Sequence, residues 1–139
     1  MVVALTDQQR QIVAESFSRL IPISEHAAAM FYDRLWEIAP ETRPLFHATD
    51  MPQQGMKLMQ TLGIAVRALH DIDSIVPVLH DLGARHIRYG VTVDQFALVK
   101  DALLWMIAQT LGEDYTPEVH EAWSDAFDLI TSITVSAYE

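Results

Sequence analysis

Cysteine is absent from all 139 residues, which excludes disulfide staples and thiolate metal sites together. Cations are scarce as well. Nine Lys and Arg stand against nineteen Asp and Glu, a formal charge of −10, and a surface of that sign repels nucleic-acid phosphates and anionic lipid. Nucleic acid is therefore not expected as a partner, and a basic redox partner or a small neutral ligand fits better. No run of about 18 apolar residues occurs, so membrane insertion is not expected either. The opening residues, Met1 to Asp7, lack the basic segment and long apolar run of a signal peptide. A cytoplasmic protein is the expectation, with residues 1–139 forming one domain that buries roughly 70% of the surface its unfolded chain exposes.

What is present is helical periodicity. Every long segment repeats its apolar residues at about 3.6, with no sustained two-residue alternation, so the fold class is all-α. Thr6 with Gln9 reads as a capping box opening a helix that carries Val13, Phe17 and Leu20. A second helix, Ser24 to Ile38, aligns Ala27, Phe31, Leu35 and Ile38, with Tyr32 beside them, and Pro40 closes it. A turn follows from Pro40 to Phe46. Asp50 caps a helix whose Leu58, Leu62, Ala65 and Leu69 form one stripe, with Gln54 one turn before Leu58. Asp73 or Ser74 opens the next helix, Pro77 falls in its first turn, and Gly90 ends it. Two more helices run from about Val93 to Leu111, stopped by Gly112, and from Thr116 to Ala137.

His86 is the most informative residue. Ile75, Leu79, Leu82 and Gly83 recur at helical spacing and place its imidazole on the apolar stripe, where its ring nitrogens need partners. Taken alone, such a histidine is more often a core residue with one satisfied hydrogen bond. Upstream, Arg43-Pro44-Leu45-Phe46 and Gln54-Gly55-Met56-Lys57-Leu58 supply an aromatic and a polar-apolar pair, as a pocket for a flat ring would require. Trp105, Trp123, Phe127, Ile130 and Ile133 read as core. His26, His47, His70, His80 and His120 show no metal-binding spacing and read as exposed.

Together, Pro40, Phe46, Tyr32, Gln54 and His86 resemble the marks of the globin family. The resemblance runs over nearly the whole chain and is narrowest to single-domain bacterial globins similar to the haem domain of flavohaemoglobins. It implies a globin fold of about six to eight helices around a haem pocket, with His86 as the iron ligand and the Leu82 carbonyl holding its second nitrogen. It places Phe46 and Val91 against the ring and Tyr32, Gln54 and Leu58 on the distal side, with Gln53 the competitor for Gln54 if the register slips by one. Lys57, Arg85 and Arg88 flank the pocket as candidate partners for the haem propionates. The cofactor implied is haem b, bound without a covalent tether. Implied ligands are dioxygen, carbon monoxide and nitric oxide, on a monomer or weak homodimer.

The resemblance also implies two departures. The tyrosine and glutamate that back the proximal histidine in flavohaemoglobins fall on Phe96 and Tyr138, with Glu139 one residue off register. A weaker proximal push favours reversible binding over peroxidase-like chemistry, so reversible dioxygen binding is the first reading. Nitric oxide dioxygenation, which yields nitrate and needs an electron each turn, is the alternative and calls for a separate reductase, because the chain shows no Gly-rich phosphate loop. A gas-sensing module would need an output domain that the chain does not show. Since no cysteine can form a thioether, haem should extract completely into acidified organic solvent. Colour left on the precipitated protein would contradict a non-covalent site.

Overall fold

The computed structural model describes residues 5–136, and the helices begin and end for local reasons. In α1, Asp7–Ser18, the Thr6 hydroxyl accepts from the Gln9 amide at 3.0 Å while the Gln9 side chain accepts from the Thr6 amide, so two otherwise orphaned donors are satisfied reciprocally. A 3-10 turn at Ile21–Ile23 leads into α2, Ser24–Ile38. The corner Pro40–Phe46 is itself 3-10. In α3, Met51–Arg67, the Asp50 carboxylate accepts from the Gln53 amide at 3.1 Å. α4 spans Ile72–Arg88, α5 Gln95–Leu111 and α6 Pro117–Val135, the last capped by Thr116. All described secondary structure is helical, and among the described residues no helix is long and apolar enough to cross a membrane.

Several boundaries differ from the sequence expectation. α4 starts at Ile72 behind Asp71, not at Asp73 or Ser74. The Ser74 hydroxyl instead donates to the Asp71 carbonyl at 2.7 Å, turning inward on the first turn. Pro77 consequently sits inside the helix and not in its first turn, where it cannot donate to the carbonyl four residues back. α5 starts at Gln95, because the Gln95 side chain accepts from the Thr92 amide and closes a separate turn ahead of it. Leu69 lies beyond α3, in the 3-10 turn Ala68–His70. α6 is described through Val135; Ala137, Tyr138 and Glu139 lie outside the described residues.

α2 packs on α3 and α5, while α6 packs on α1, α4 and α5. The main core joins α1, α2, α3, α5 and α6 around Leu20, Met106, Ile107 and Trp123, all essentially solvent-free. The Trp123 indole donates to the Ser16 hydroxyl at 2.9 Å, so its polar edge is satisfied where it is buried. A smaller cluster of Ala65, Ile75 and Leu79, with Ile130 and Ile133 against it, ties α4 to α6 and the end of α3. α4 is thus anchored chiefly from the α6 side.

One close approach sets how near α2 and α3 lie. A Cβ placed on Gly55 would stand 3.0 Å from the Ala28 Cβ, tighter than ordinary side-chain contact, so α2 and α3 cross as near as they do because Gly55 has no side chain. Tyr32 lies one turn after Ala28 and Gln54 lies next to Gly55. Gly55→Val should cost roughly 1–3 kcal/mol through overpacking, and Ala28→Gly should recover part of the loss. Urea unfolding of both variants and their double checks this; additive effects would show that the two sites are not coupled.

Candidate functional site

Phe31, Tyr32, Trp36 and Phe46 make an aromatic cluster where α2 meets the corner. The Tyr32 ring lies 4.8 Å from Phe31, 5.9 Å from Trp36 and 5.3 Å from Phe46, the Phe31 and Phe46 contacts edge-on, which is the favoured arrangement for aromatic quadrupoles. Trp36 and Phe46 also meet edge-on at 5.9 Å. Tyr32 is buried, and its hydroxyl accepts from the Gln54 amide nitrogen at 3.1 Å. Burial raises the phenol above its usual pKa, partly offset by the Gln54 hydrogen bond. The hydroxyl therefore keeps its proton and, with Gln54 donating to it, can give that proton to a third group. Leu58, one turn after Gln54, is half-buried. Gln53 is exposed, and it is its backbone amide that bonds Asp50.

His86 occupies the last turn of α4. Its Nδ1 bonds the Leu82 carbonyl at 2.7 Å; a carbonyl only accepts, so Nδ1 carries the proton and Nε2 holds a free lone pair. Burial lowers the imidazole pKa, the Leu82 bond opposes this, and the neighbouring Arg85 charge lowers it further. The neutral ring is thereby favoured. Phe96 stands 5.6 Å and Tyr89 6.2 Å from the imidazole, centroid to centroid. α4 ends just beyond, at Gly90, whose φ of +85° suits glycine, and the Val91 amide donates back to the His86 carbonyl at 3.0 Å. Arg85, Arg88 and His86 fall in the last turn, where the carbonyl ends favour cations.

The structure thus brings Tyr32, Gln54 and Phe46 together on one set of elements, and His86, Leu82 and Phe96 on another. Lys57 and Arg88 are exposed, and Val91 is half-buried. Arg85 is half-exposed, with Nε 3.3 Å from Asp81 in an i,i+4 pair that lacks hydrogen-bond alignment. The other five histidines are exposed. Trp36 and Arg43 were not singled out by sequence reasoning. Trp36 follows Tyr32 by four residues on the same helix face, which was the available signal, and the Arg43 guanidinium lies 5.1 Å over its ring. A separate groove of about 470 Å³ between α2 and α3 takes in Tyr32, Trp36, Met51, Met56 and Met59. Its lining contains no histidine, and neither Gln54 nor Leu58.

The Globin family profile matches residues 29–134. The chain belongs to the globin family. It is similar to "Neuroglobin" of Chaenocephalus aceratus, 26% identical across 92% of this chain and 89% of that protein. It is similar to "Anaerobic nitrite reductase NSHB5" of Oryza sativa subsp. indica, 29% identical over 91% of each. It also resembles the "Flavohemoprotein" of Halalkalibacterium halodurans, 26% identical over 94% of this chain and only 32% of that longer protein.

Membership implies a haem-binding globin, and the donor set fits that cofactor. A neutral imidazole with its second nitrogen held by a backbone carbonyl is the form an iron ligand requires. Leu45 on the corner, Ile64 on α3, Val78 and Ile87 on α4, and Tyr89 and Val93 after α4 are exposed apolar residues, surface of a kind that an apolar ring or a partner covers.

Gln54→Leu should destabilise the haem-free protein by about 0.5–1.5 kcal/mol, because Tyr32 loses a hydrogen-bond partner. Gln53→Leu should change stability by less than about 0.5 kcal/mol, since its side chain is exposed. Chemical unfolding of the two variants reads the difference; a reversed order would place Gln53 at Tyr32.

Proposed function

We propose that this globin reversibly binds dioxygen, for storage, delivery or facilitated diffusion, through one non-covalent haem b ligated by His86, and that it is of the single-domain bacterial type. The observation that carries the reading is the buried Tyr32 hydroxyl, which accepts from Gln54 at 3.1 Å and keeps a proton to donate. Haem, when bound, supplies an iron atom with an open position for a diatomic gas. Everything else falls to the chain. His86 offers Nε2, while Leu82 fixes the tautomer and ring direction. Phe46 and Val91 pack the ring, and Lys57 and Arg85 answer its carboxylates. Tyr32 and Gln54 set donors where dioxygen carries partial negative charge, and Leu58 keeps the adjoining space apolar.

Phe96 favours the carrier over an enzyme. At 5.6 Å from the imidazole, a phenyl ring has no hydroxyl with which to make His86 more anionic, so the push that favours O–O cleavage is weak. Nitric oxide dioxygenation with a separate reductase is the second reading, supported by the likeness to a flavohaemoprotein and by the same Tyr32–Gln54 pair.

Absorption spectra of the ferric, ferrous and carbonmonoxy forms test the assignment. His86→Ala should abolish a stable Soret band at stoichiometric haem, and added imidazole should restore part of it. Tyr32→Phe should speed dioxygen release about five- to thirtyfold, corresponding to roughly 1–2 kcal/mol for a bond to a partly charged acceptor, and should leave carbon monoxide affinity within a few fold. Equal effects on both gases would mean that the hydroxyl does not sense ligand charge. Rapid consumption of the oxygenated protein by nitric oxide, followed by re-reduction, would favour the enzyme.

A further inference from the structure

We propose that the groove between α2 and α3 is a binding site for an aliphatic diamine, and that its occupation reaches the gas site through Tyr32, an effect that rests on the dioxygen reading above. The groove measures about 470 Å³, within the range of small-molecule sites, roughly 300–1,000 Å³. Ala28, Ala29, Met51, Gly55, Met56 and Met59 give it an apolar lining. Ala29 and Met56 are exposed, and unbranched thioether side chains adapt readily to an apolar ligand.

Charge selects the ligand. Glu25 and Asp33 both line the groove, and the lining holds no Lys, Arg or His. Neither carboxylate forms an ion pair among the described residues. Arg34, the sole Lys or Arg of α2, is engaged by Glu37 and lies 5.2 Å over the Trp105 ring. Arg43, stacked over Trp36, and Lys57, next to Met56 in the chain, stand outside the lining. From Glu25 to Asp33 the helix rises about 12 Å. A single ammonium therefore meets one carboxylate at a time, whereas a diamine with a methylene spacer of that length meets both and lays its chain along the methionines. A charge in the middle of the spacer would face apolar lining without a partner, which favours a plain diamine over a polyamine. An anionic amphiphile is repelled by the two carboxylates and by the net charge of −10.

The groove shares residues with the Tyr32–Gln54 pair. Tyr32 lines it, and so do Ala28 and Gly55, whose close approach sets the spacing of α2 and α3. Gly55 adjoins Gln54, which donates to the Tyr32 hydroxyl at 3.1 Å. A chain laid between the two helices bears on their spacing and loosens that bond, so bound dioxygen leaves faster.

The test is titration of the haem-loaded carbonmonoxy protein with octane-1,8-diamine, read from backbone amide resonances. Ala29, Gly55 and Met56 should shift saturably. Octylamine and butane-1,4-diamine should each bind about threefold or more weakly, the first for want of a charge and the second for want of length. Octane-1,8-diol should bind about tenfold more weakly and octanedioate not at all. Glu25→Gln and Asp33→Asn should each weaken the diamine about two- to fivefold, as exposed ion pairs allow. Ala29→Phe, at an exposed position, should abolish binding by filling the groove. At saturating diamine, dioxygen release should quicken about twofold or more in the parent, with no change in Ala29→Phe. Equal affinity for diamine and diol, indifference to both carboxylate variants, shifts away from these amides, or binding confined to the haem-free chain would overturn the site. Saturation with no change in dioxygen release would overturn the effect on gas and leave the site. A chain that binds the diamine at these residues but takes up no haem would overturn the dioxygen reading alone.

Discussion

The nearness of α2 and α3 at Ala28 and Gly55 is the constraint on which the site depends. Helix pairs approach as far as their contact side chains allow, and here one of the two contributes none. The consequence reaches one turn further along α2, where the Tyr32 hydroxyl comes within 3.1 Å of the Gln54 amide. A side chain at residue 55 would meet Ala28, push the helices apart and lengthen that bond. The stability of the fold and the geometry of the Tyr32–Gln54 pair therefore share a cause.

The side that carries His86 is organised differently. α4 is secured by α6 and by the small cluster of Ala65, Ile75 and Leu79, and His86 projects from its last turn, beyond most of that packing. Its orientation rests on the Leu82 carbonyl and on the flanking rings of Phe96 and Tyr89. A helix held on one flank leaves the other available, as a fold that must admit a large flat cofactor requires. Pro77 adds to the asymmetry, since it weakens the first half of α4 without touching the half that carries the imidazole.

Much of this was legible because single residues carried unambiguous local signals. The Thr6–Gln9 box, the Asp50 and Thr116 caps and the positive φ of Gly90 and Gly112 reflect short-range chemistry that any reader of the chain can apply. His86 stood out because an imidazole on an apolar stripe needs an explanation, and its Leu82 partner is one that a helix makes available and the globin resemblance implied. The boundaries that differed, at Ile72 and Gln95, were decided by side chains folding back on nearby backbone, where several polar residues competed for one role. Trp36 and Arg43 were obscured because their importance comes from rings on separate elements meeting in space. The charge total pointed towards a basic partner, yet a total carries no positions: Arg10, Arg19, Arg34 and Lys100 are each taken up in an ion pair that only the folded chain assembles.

The net charge of −10 has a consequence outside any cell. At neutral pH the molecule is drawn to a cationic surface and repelled by an anionic one, so a cationic resin at low salt retains it and an anionic resin lets it pass.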